Sequence, residues 1–377
     1  MSFIDDFERH EIYLARLATQ LLNSHIYPSL TEAYKAARLI LLDAEAINSP
    51  AQLNKITAAI RKATNETIAK SWEAATAELQ SIAIYEAGYY AALVGGYQDA
   101  RLKTPADKQI EEYVKKSLMT LHSGKQVDSG FWGEFVGAQI AAVGNGYDSA
   151  VKAGYSQGET VNQIAGRIRT VTEGLSKSQS ESLARTGVQH YAVQARQAMA
   201  KANADVIDRE IPIVTFDNRT SIVCAGIASK YPKGWPNGES PIGYPPYHYQ
   251  CRTAIGHLVK GQESIDGTRA AIGGQKGAEA AEQFEKKQGR TDRRFRYRGK
   301  KDLDVFNPAQ ISAKTGIDDW MRSQPDWFIE SNLGVTKAKL FKEGKMKLSQ
   351  FTDATNRPLT LDELRILDAD AFKRAGL

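Results

Sequence analysis

Apolar residues recur at helical spacing through most of the first 205 positions. Ser49 is an N-cap residue type, and Pro50 takes the first position of the helix it predicts. Leu53, Ile56, Ile60, Ile68, Trp72, Leu79, Ile82, Tyr89 and Leu93 keep that spacing until Gly95 and Gly96 stop the run. A helix of roughly 40 residues is about 60 Å long at 1.5 Å per residue. Such length predicts an extended hairpin or bundle, better suited to spanning other subunits than to enclosing a pocket. Thr104-Pro105 with Asp107 starts another helix, carried by Ile110, Val114, Leu118 and Leu121. Residues 131–153 continue as helix with Gly133, Gly137 and Gly144 interspersed, and residues 176–204 form one more.

The pattern changes at Ile211. Ile213-Val214-Thr215-Phe216 is β-branched and short, and Asp217-Asn218 follow as turn residues, so a strand ending in a turn is predicted. Five prolines between residues 230 and 247, with glycines and aromatics among them, predict an ordered loop. Residues 253–259 return as a second strand. Residues 261–302, Gly-rich and then charged, read as a linker with a helical piece around 278–287. Short amphipathic helices resume at Asp318, and Thr360-Leu361-Asp362-Glu363 is a capped start to the last of them. The expected architecture is mainly α, with a long N-terminal helical hairpin or bundle, a small α+β centre with short strands around 211–260, and a helical C-terminal segment. Its expected divisions are 1–125, 126–260, a linker over 261–305, and 306–377.

Composition narrows the class. At 377 residues, 42% hydrophobic and 25% charged, the chain has ordinary globular values. The first residues lack the basic and apolar parts of a signal peptide, and the most apolar window, 131–143, is too short to cross a bilayer. A soluble chain made in a cytoplasm, without a membrane segment, is therefore expected. Two cysteines exclude a disulfide scaffold. The net charge is +5, but residues 286–301 alone carry nine basic residues against Asp292. Lys286, Lys287, Arg290, Arg293, Arg294, Arg296, Arg298, Lys300 and Lys301, with Phe295 and Tyr297 between them, are a candidate nucleic-acid-binding run. The alternative is a solvated linker.

Cys224, His248 and Cys251 have the residue types of a structural zinc site, with a short His-x-x-Cys arm after a long loop. Asp217 or His257 could be the fourth ligand. A metal would staple a proline-rich loop that has little core of its own. A disulfide, or a packed loop with neither, would serve the same structural end. Asp217, Arg219 and Thr220 crowd the turn after the strand. Turn-building is the expectation, with the aspartate accepting from backbone amides and the arginine pairing across the loop; an acid–base pair is the catalytic alternative. Arg185 and Arg196 read as surface or domain-contact residues, with a phosphate site as the lesser reading, and His190 as packing or solvated. No catalytic residue is singled out, since no Ser-His-Asp order, Walker loop or Rossmann fingerprint occurs.

Three separated patches resemble one family. The first is Leu183-Ala184-Arg185-Thr186, then Tyr191, Ala195-Arg196 and Asn203. The second is the strand and turn Thr215-Phe216-Asp217-Asn218-Arg219-Thr220-Ser221 with Cys224, a proline-rich loop, and Pro245-Pro246-Tyr247-His248-Tyr249-Gln250-Cys251-Arg252. The third runs through Trp320, Gln324-Pro325, Leu333-Gly334, Lys337, Leu340-Phe341, Gly344, Leu348, Phe351 and Arg357-Pro358-Leu359-Thr360. In order and spacing they resemble the phage Mu F-like head-morphogenesis proteins over roughly residues 130 to 365. The chain departs from the family pattern at Gly187, where a glutamate is usual, at Ile227-Ala228 in place of Asp-Gly, and at Thr253 in place of a third cysteine.

The resemblance implies a structural minor head protein of a tailed bacteriophage, not an enzyme. Its place would be in the virion, inside the head near the portal, after assembly in the host cytoplasm. Its implied partners are the portal protein, the major capsid protein and packaged DNA, with a part in DNA retention or delivery. The rival expectation is an enzyme, an ADP-ribosyltransferase-like or metal-dependent phage effector, centred on Asp217 and His248.

Overall fold

The computed structural model describes residues 2–124, 126–276 and 304–377. The chain is mainly α with a small α+β part. Helix α1 (Phe3–Leu21) passes through a π-helical turn (Leu22–Ile26) into α2 (Tyr27–Asp43). Helix α3 (Pro50–Gln98) starts as the sequence predicts, with the Ser49 side chain accepting from Gln52 N. It runs 49 residues, through Gly95 and Gly96, and stops where Asp99 turns left-handed at φ 49°. At about 1.5 Å per residue it is roughly 70 Å long. That length is used within the chain: Ile60, Ile68, Trp72, Ala75, Leu79, Ala87 and Tyr90 are all buried under α1, α2, α5 (Trp132–Ser156) and α7 (Lys177–Ala202).

Helix α4 (Asp107–Lys115) ends sooner than its apolar spacing predicts, and a β-hairpin of β1 (Met119–Ser123) and β2 (Gln126–Gly130) follows. The apolar residues here fit a period of two as well as one of 3.6. Met119 and Leu121 point into the core while Leu118 is exposed, and Gly124 turns the chain at φ 60°. Helix α6 (Val161–Val171) leads through a second π-helical turn (Thr172–Ser176) into α7. Helices on both sides of residue 125 share one core, from Leu14 and Trp72 to Trp132, Val151 and Tyr191.

Gly187 fits this packing. A Cβ at that position would collide with the Trp132 ring, whose indole also stacks edge-on against Trp72 and Tyr191. The glutamate usual in the resembling family has no room here.

Beyond α7, β3 (Ile207–Ile213) pairs antiparallel with β5 (Ala254–Val259) and with a two-residue strand, β4 (Trp235–Pro236). The first strand therefore lies earlier than residues 213–216. Of these only Ile213 pairs in the sheet, with Ala254; residues 214–216 run past it, and Phe216 bridges Ala271 instead. Helix α8 (Ile222–Lys230) follows the turn. The 230–247 segment is the ordered loop expected, with Gly234 at φ 67° because a side chain there would strike the Glu210 carbonyl.

Residues Thr268–Lys276 form a strand, β6, paired with β7 (Asp304–Ser312), where the sequence reads as linker. Short glycine and alanine side chains look like linker composition. Here they allow close approach: Gly274 lies against Trp327 and Phe328. The basic run at 286–301 and the helical piece expected at 278–287 lie outside the described residues. The C-terminal helices α9 (Ile317–Arg322), α10 (Asp326–Leu333), α11 (Val335–Lys342), α12 (Leu361–Leu367) and α13 (Ala369–Arg374) enclose a second core. Phe328, Phe341, Leu348, Phe351 and Leu364 fill it together with Val214, Phe216, Cys224 and Cys251. No helix among the described residues is long and apolar enough to cross a membrane.

Arg196, which the sequence places at a surface or domain contact, is fully buried. Its Nε donates to Glu86 Oε1 at 2.6 Å, and its Nη2 pairs with Glu11 at 2.7 Å. His10 Nε2 reaches the other Glu86 oxygen at 2.5 Å. Burial alone would raise the Glu86 pKa, but Arg196 and His10 outweigh it and hold the carboxyl below its ordinary value. A depressed carboxyl pKa adds stability that is present above the unfolded value of about 4.3 and is lost as pH falls through the folded value. Glu86→Ala should lower stability at pH 7 by about 3–5 kcal/mol, because it strands a buried guanidinium. The gap to wild type should narrow below about pH 4 in chemical denaturation across a pH series. An equal gap at every pH would contradict this account.

Candidate metal centre

The turn Asp217–Ser221 is assembled by its own side chains. Asp217 Oδ1 accepts from Arg219 N at 2.9 Å and from Thr220 Oγ1 at 3.1 Å, and the Thr220 hydroxyl also donates to the Thr215 carbonyl. Ser221 caps α8 by accepting from Cys224 N at 3.2 Å. This is the turn-building expected of Asp217 and Thr220. The arginine that pairs across the loop is Arg252, however, not Arg219. Its two terminal nitrogens meet the two Asp217 oxygens at 2.6 and 2.8 Å. Burial opposes ionisation of Asp217, yet Arg252 holds its carboxyl below the ordinary range, and Asp217 in turn raises the guanidinium pKa. A carboxylate committed to a two-pronged ion pair is a poor general base.

Capping by Ser221 puts Cys224 in the first turn of α8, facing the loop that returns at Tyr247. Cys224 Sγ lies 3.2 Å from His248 Nε2 and 3.6 Å from Cys251 Sγ, and both cysteines are free and buried. The ligand atoms of all three residues fall within 4.8 Å of one another, so this group could hold a metal ion. Zn–S bonds of about 2.3 Å at a tetrahedral angle place two sulfurs roughly 3.8 Å apart, close to the spacing found. A cavity of 20 Å³ borders Cys224 and His248, and one water-sized occupant needs about 10–15 Å³.

The two thiols are pushed in opposite directions. The hydrogen bond to Cys251 and burial both push the Cys224 thiol well up. Burial would also raise Cys251, but Cys224 and His248 outweigh it and hold its thiol well below the ordinary value. Burial pushes His248 down, and its bond to the Cys251 sulfur more than restores it. His248 Nδ1 is fixed by the Tyr249 carbonyl at 2.9 Å.

Neither expected fourth ligand is there. Asp217 is committed to Arg252. His257 sits inside β5, fully buried, with Nδ1 3.2 Å from the Tyr90 hydroxyl and Nε2 facing Gln197 and Glu210. Strand β5 carries it away from the loop to the helix bundle. His122 on the hairpin does meet this loop, through its backbone N, which donates to the Tyr247 carbonyl at 2.8 Å. Its ring is buried with Nδ1 unpartnered; burial lowers its pKa, Asp353 opposes, and His248 adds to the lowering. Helical spacing of Ile110, Val114, Leu118 and Leu121 conceals the hairpin that carries it. The alternation at Met119 and Leu121 was the available signal.

Both remaining patches grip this loop. Thr186 Oγ1 accepts from Gln250 N at 3.0 Å, and Gln189 Nε2 donates to the Thr253 carbonyl at 2.9 Å, so α7 holds it from one side. On the other side Phe216 lies on Trp320 at 5.1 Å between ring centres, and Ser229 bonds Asp318 at 2.5 Å. His190 is buried with both ring nitrogens unpartnered, and burial lowers its pKa to about 4, so it packs as a neutral ring. Compared with known proteins, the chain matches no family model, no curated protein and no solved structure.

Replacing Cys224 or Cys251 with serine should loosen residues 220–255 and lower stability by about 2–5 kcal/mol. Hydrogen exchange over the loop and chemical denaturation measure both effects. Unchanged protection in the two variants would show that the sulfurs hold nothing in place.

Proposed function

We propose that this chain is a structural minor head protein of a tailed bacteriophage, seated inside the capsid at the portal. The observation that carries the reading is the interlocking of the three resembling patches. Asp217 holds Arg252, Thr186 holds Gln250, and Trp320 closes on Phe216. The residues that carry the resemblance are thus the ones that build this loop and its two flanks. Asp217, where an acid–base pair would be centred, is spent on Arg252 and on turn amides. That supports architecture over catalysis.

A zinc ion held by Cys224, His248 and Cys251 would act as a staple for the proline-rich loop. The portal protein is the expected partner, and the basic run at 286–301 would meet packaged DNA through its phosphates.

Mass spectrometry of purified particles should detect this chain at far below the amount of the major capsid protein. Presence in infected lysate with absence from particles would instead indicate a scaffold or an enzyme. Binding to unrelated DNA duplexes should weaken with salt, log affinity falling with log salt by about 0.9 per phosphate neutralised. Changing Arg290, Arg293, Arg294, Arg296 and Arg298 to glutamine should remove most of that dependence. Equal binding by wild type and variant would leave the run a solvated segment.

A further inference from the structure

A cavity of 310 Å³ opens where α1, α7, the end of β3, the Gln250–Arg252 loop and β6 meet. One side is apolar, with Ile12, Ala15 and Val188, and Ile12 is 56% exposed. The other side carries four guanidinium groups, from Arg185, Arg219, Arg252 and Arg269. Two carboxylates, Glu8 and Glu11, also line it.

The charges do not cancel within the wall. Arg252 is bound by Asp217, and Glu11 is bound by Arg196. Glu8 accepts from Ala270 N at 3.0 Å, and burial raises its pKa. Arg185 and Arg219 are exposed and make no side-chain hydrogen bond or ion pair among the described residues. Arg269 is only 7% exposed. It lies over the Phe216 ring at 4.1 Å, donates to the Val214 carbonyl, and leaves its Nε without a partner. Burial pulls its pKa down to about 10, with Glu8 acting the other way. A buried N–H of a cation left unpaired costs the full desolvation of that group. Three cations against Glu8 leave an excess of positive charge facing an apolar wall.

Guanidinium forks match the planar oxygens of carboxylate and phosphate. The volume suits a small ligand, at the low end of the roughly 300–1,000 Å³ range of such pockets. We propose that this cavity binds a small amphipathic oxyanion, a carboxylate or phosphate monoester on an apolar body. Its head lies among Arg185, Arg219 and Arg269, and its body lies along Ile12, Ala15 and Val188. Cys251 of the metal centre borders the cavity, but no metal is needed for the proposal, which stands whether or not the protein is a head component.

Calorimetric titration of the full chain with octyl phosphate, octanoate and inorganic phosphate tests it. The two octyl compounds should bind, the preferred one identifying the head group, and inorganic phosphate should bind at least about tenfold more weakly. Arg185→Gln and Arg219→Gln, both at exposed positions, should each weaken binding by about tenfold or more. Lys62→Gln, on the exposed face of α3, should leave it unchanged. Ile12→Asp should weaken the octyl ligands and spare inorganic phosphate. Thermal melts of each variant separate lost binding from lost fold. No binding of either octyl compound at millimolar concentration would overturn the proposal. So would inorganic phosphate binding as tightly as octyl phosphate, or binding indifferent to both arginine variants in folded protein.

Discussion

A guanidinium with no access to solvent stands where three helices cross. Arg196 of α7 lies between Glu86 of α3 and Glu11 of α1, with the Phe7 and Tyr90 rings 4.8 and 5.0 Å from its charge. Desolving a cation and a carboxylate costs several kcal/mol each, so the arrangement holds only while all partners are in place. Arginine suits it, since the planar group can bond at its edge and lie against rings at its faces. One residue thereby sets the relative position of α1, α3 and α7, around which the rest of the bundle is laid.

The same crossing reaches the sheet. Tyr90, one turn along α3 from Glu86, places its hydroxyl 3.1 Å from His257 N and 3.2 Å from the ring of the same residue. Glu210 of β3, also fully buried, receives the Trp235 indole at 2.5 Å, Gly238 N at 3.1 Å and the Tyr244 hydroxyl at 3.2 Å. Buried polar groups of this kind need every partner, and a helix or strand out of register would strand several at once. The bundle and the small sheet are therefore held in one arrangement by hydrogen bonds as well as by apolar contact.

Helix α7 connects that arrangement to the Cys–His–Cys loop. Its Thr186 and Gln189 reach the loop backbone, and its Gly187 admits Trp132. The loop has few apolar side chains of its own, so its shape comes from what grips it: α7 on one side, the Trp320 helix on the other, and the Asp217–Arg252 pair and three metal-ligand side chains within. A loop fixed this way offers a rigid surface to a partner. In the proposed role that rigidity serves attachment, while the cavity beside it is free to take a ligand.

The helical character of residues 50–98, 132–156 and 177–202 was legible because apolar spacing is local, and so were the Ser49 cap and the Thr360–Glu363 capping box. The cysteines and His248 were legible as one group through residue type and spacing. The hairpin at 119–130 was not, since Met119 and Leu121 satisfy either period until the core selects one. Strand β6 was hidden by glycines that read as linker until Trp327 and Phe328 pack on them. Which arginine pairs Asp217, and why His257 stands apart from the cysteines, depended on how β5 and the loop fold back. Arg196 shows the division most sharply. As a sequence position it is one more polar residue on a helix; only the meeting of Glu86, Glu11, Phe7 and Tyr90, distant along the chain, supplies the charges and rings that let it be buried.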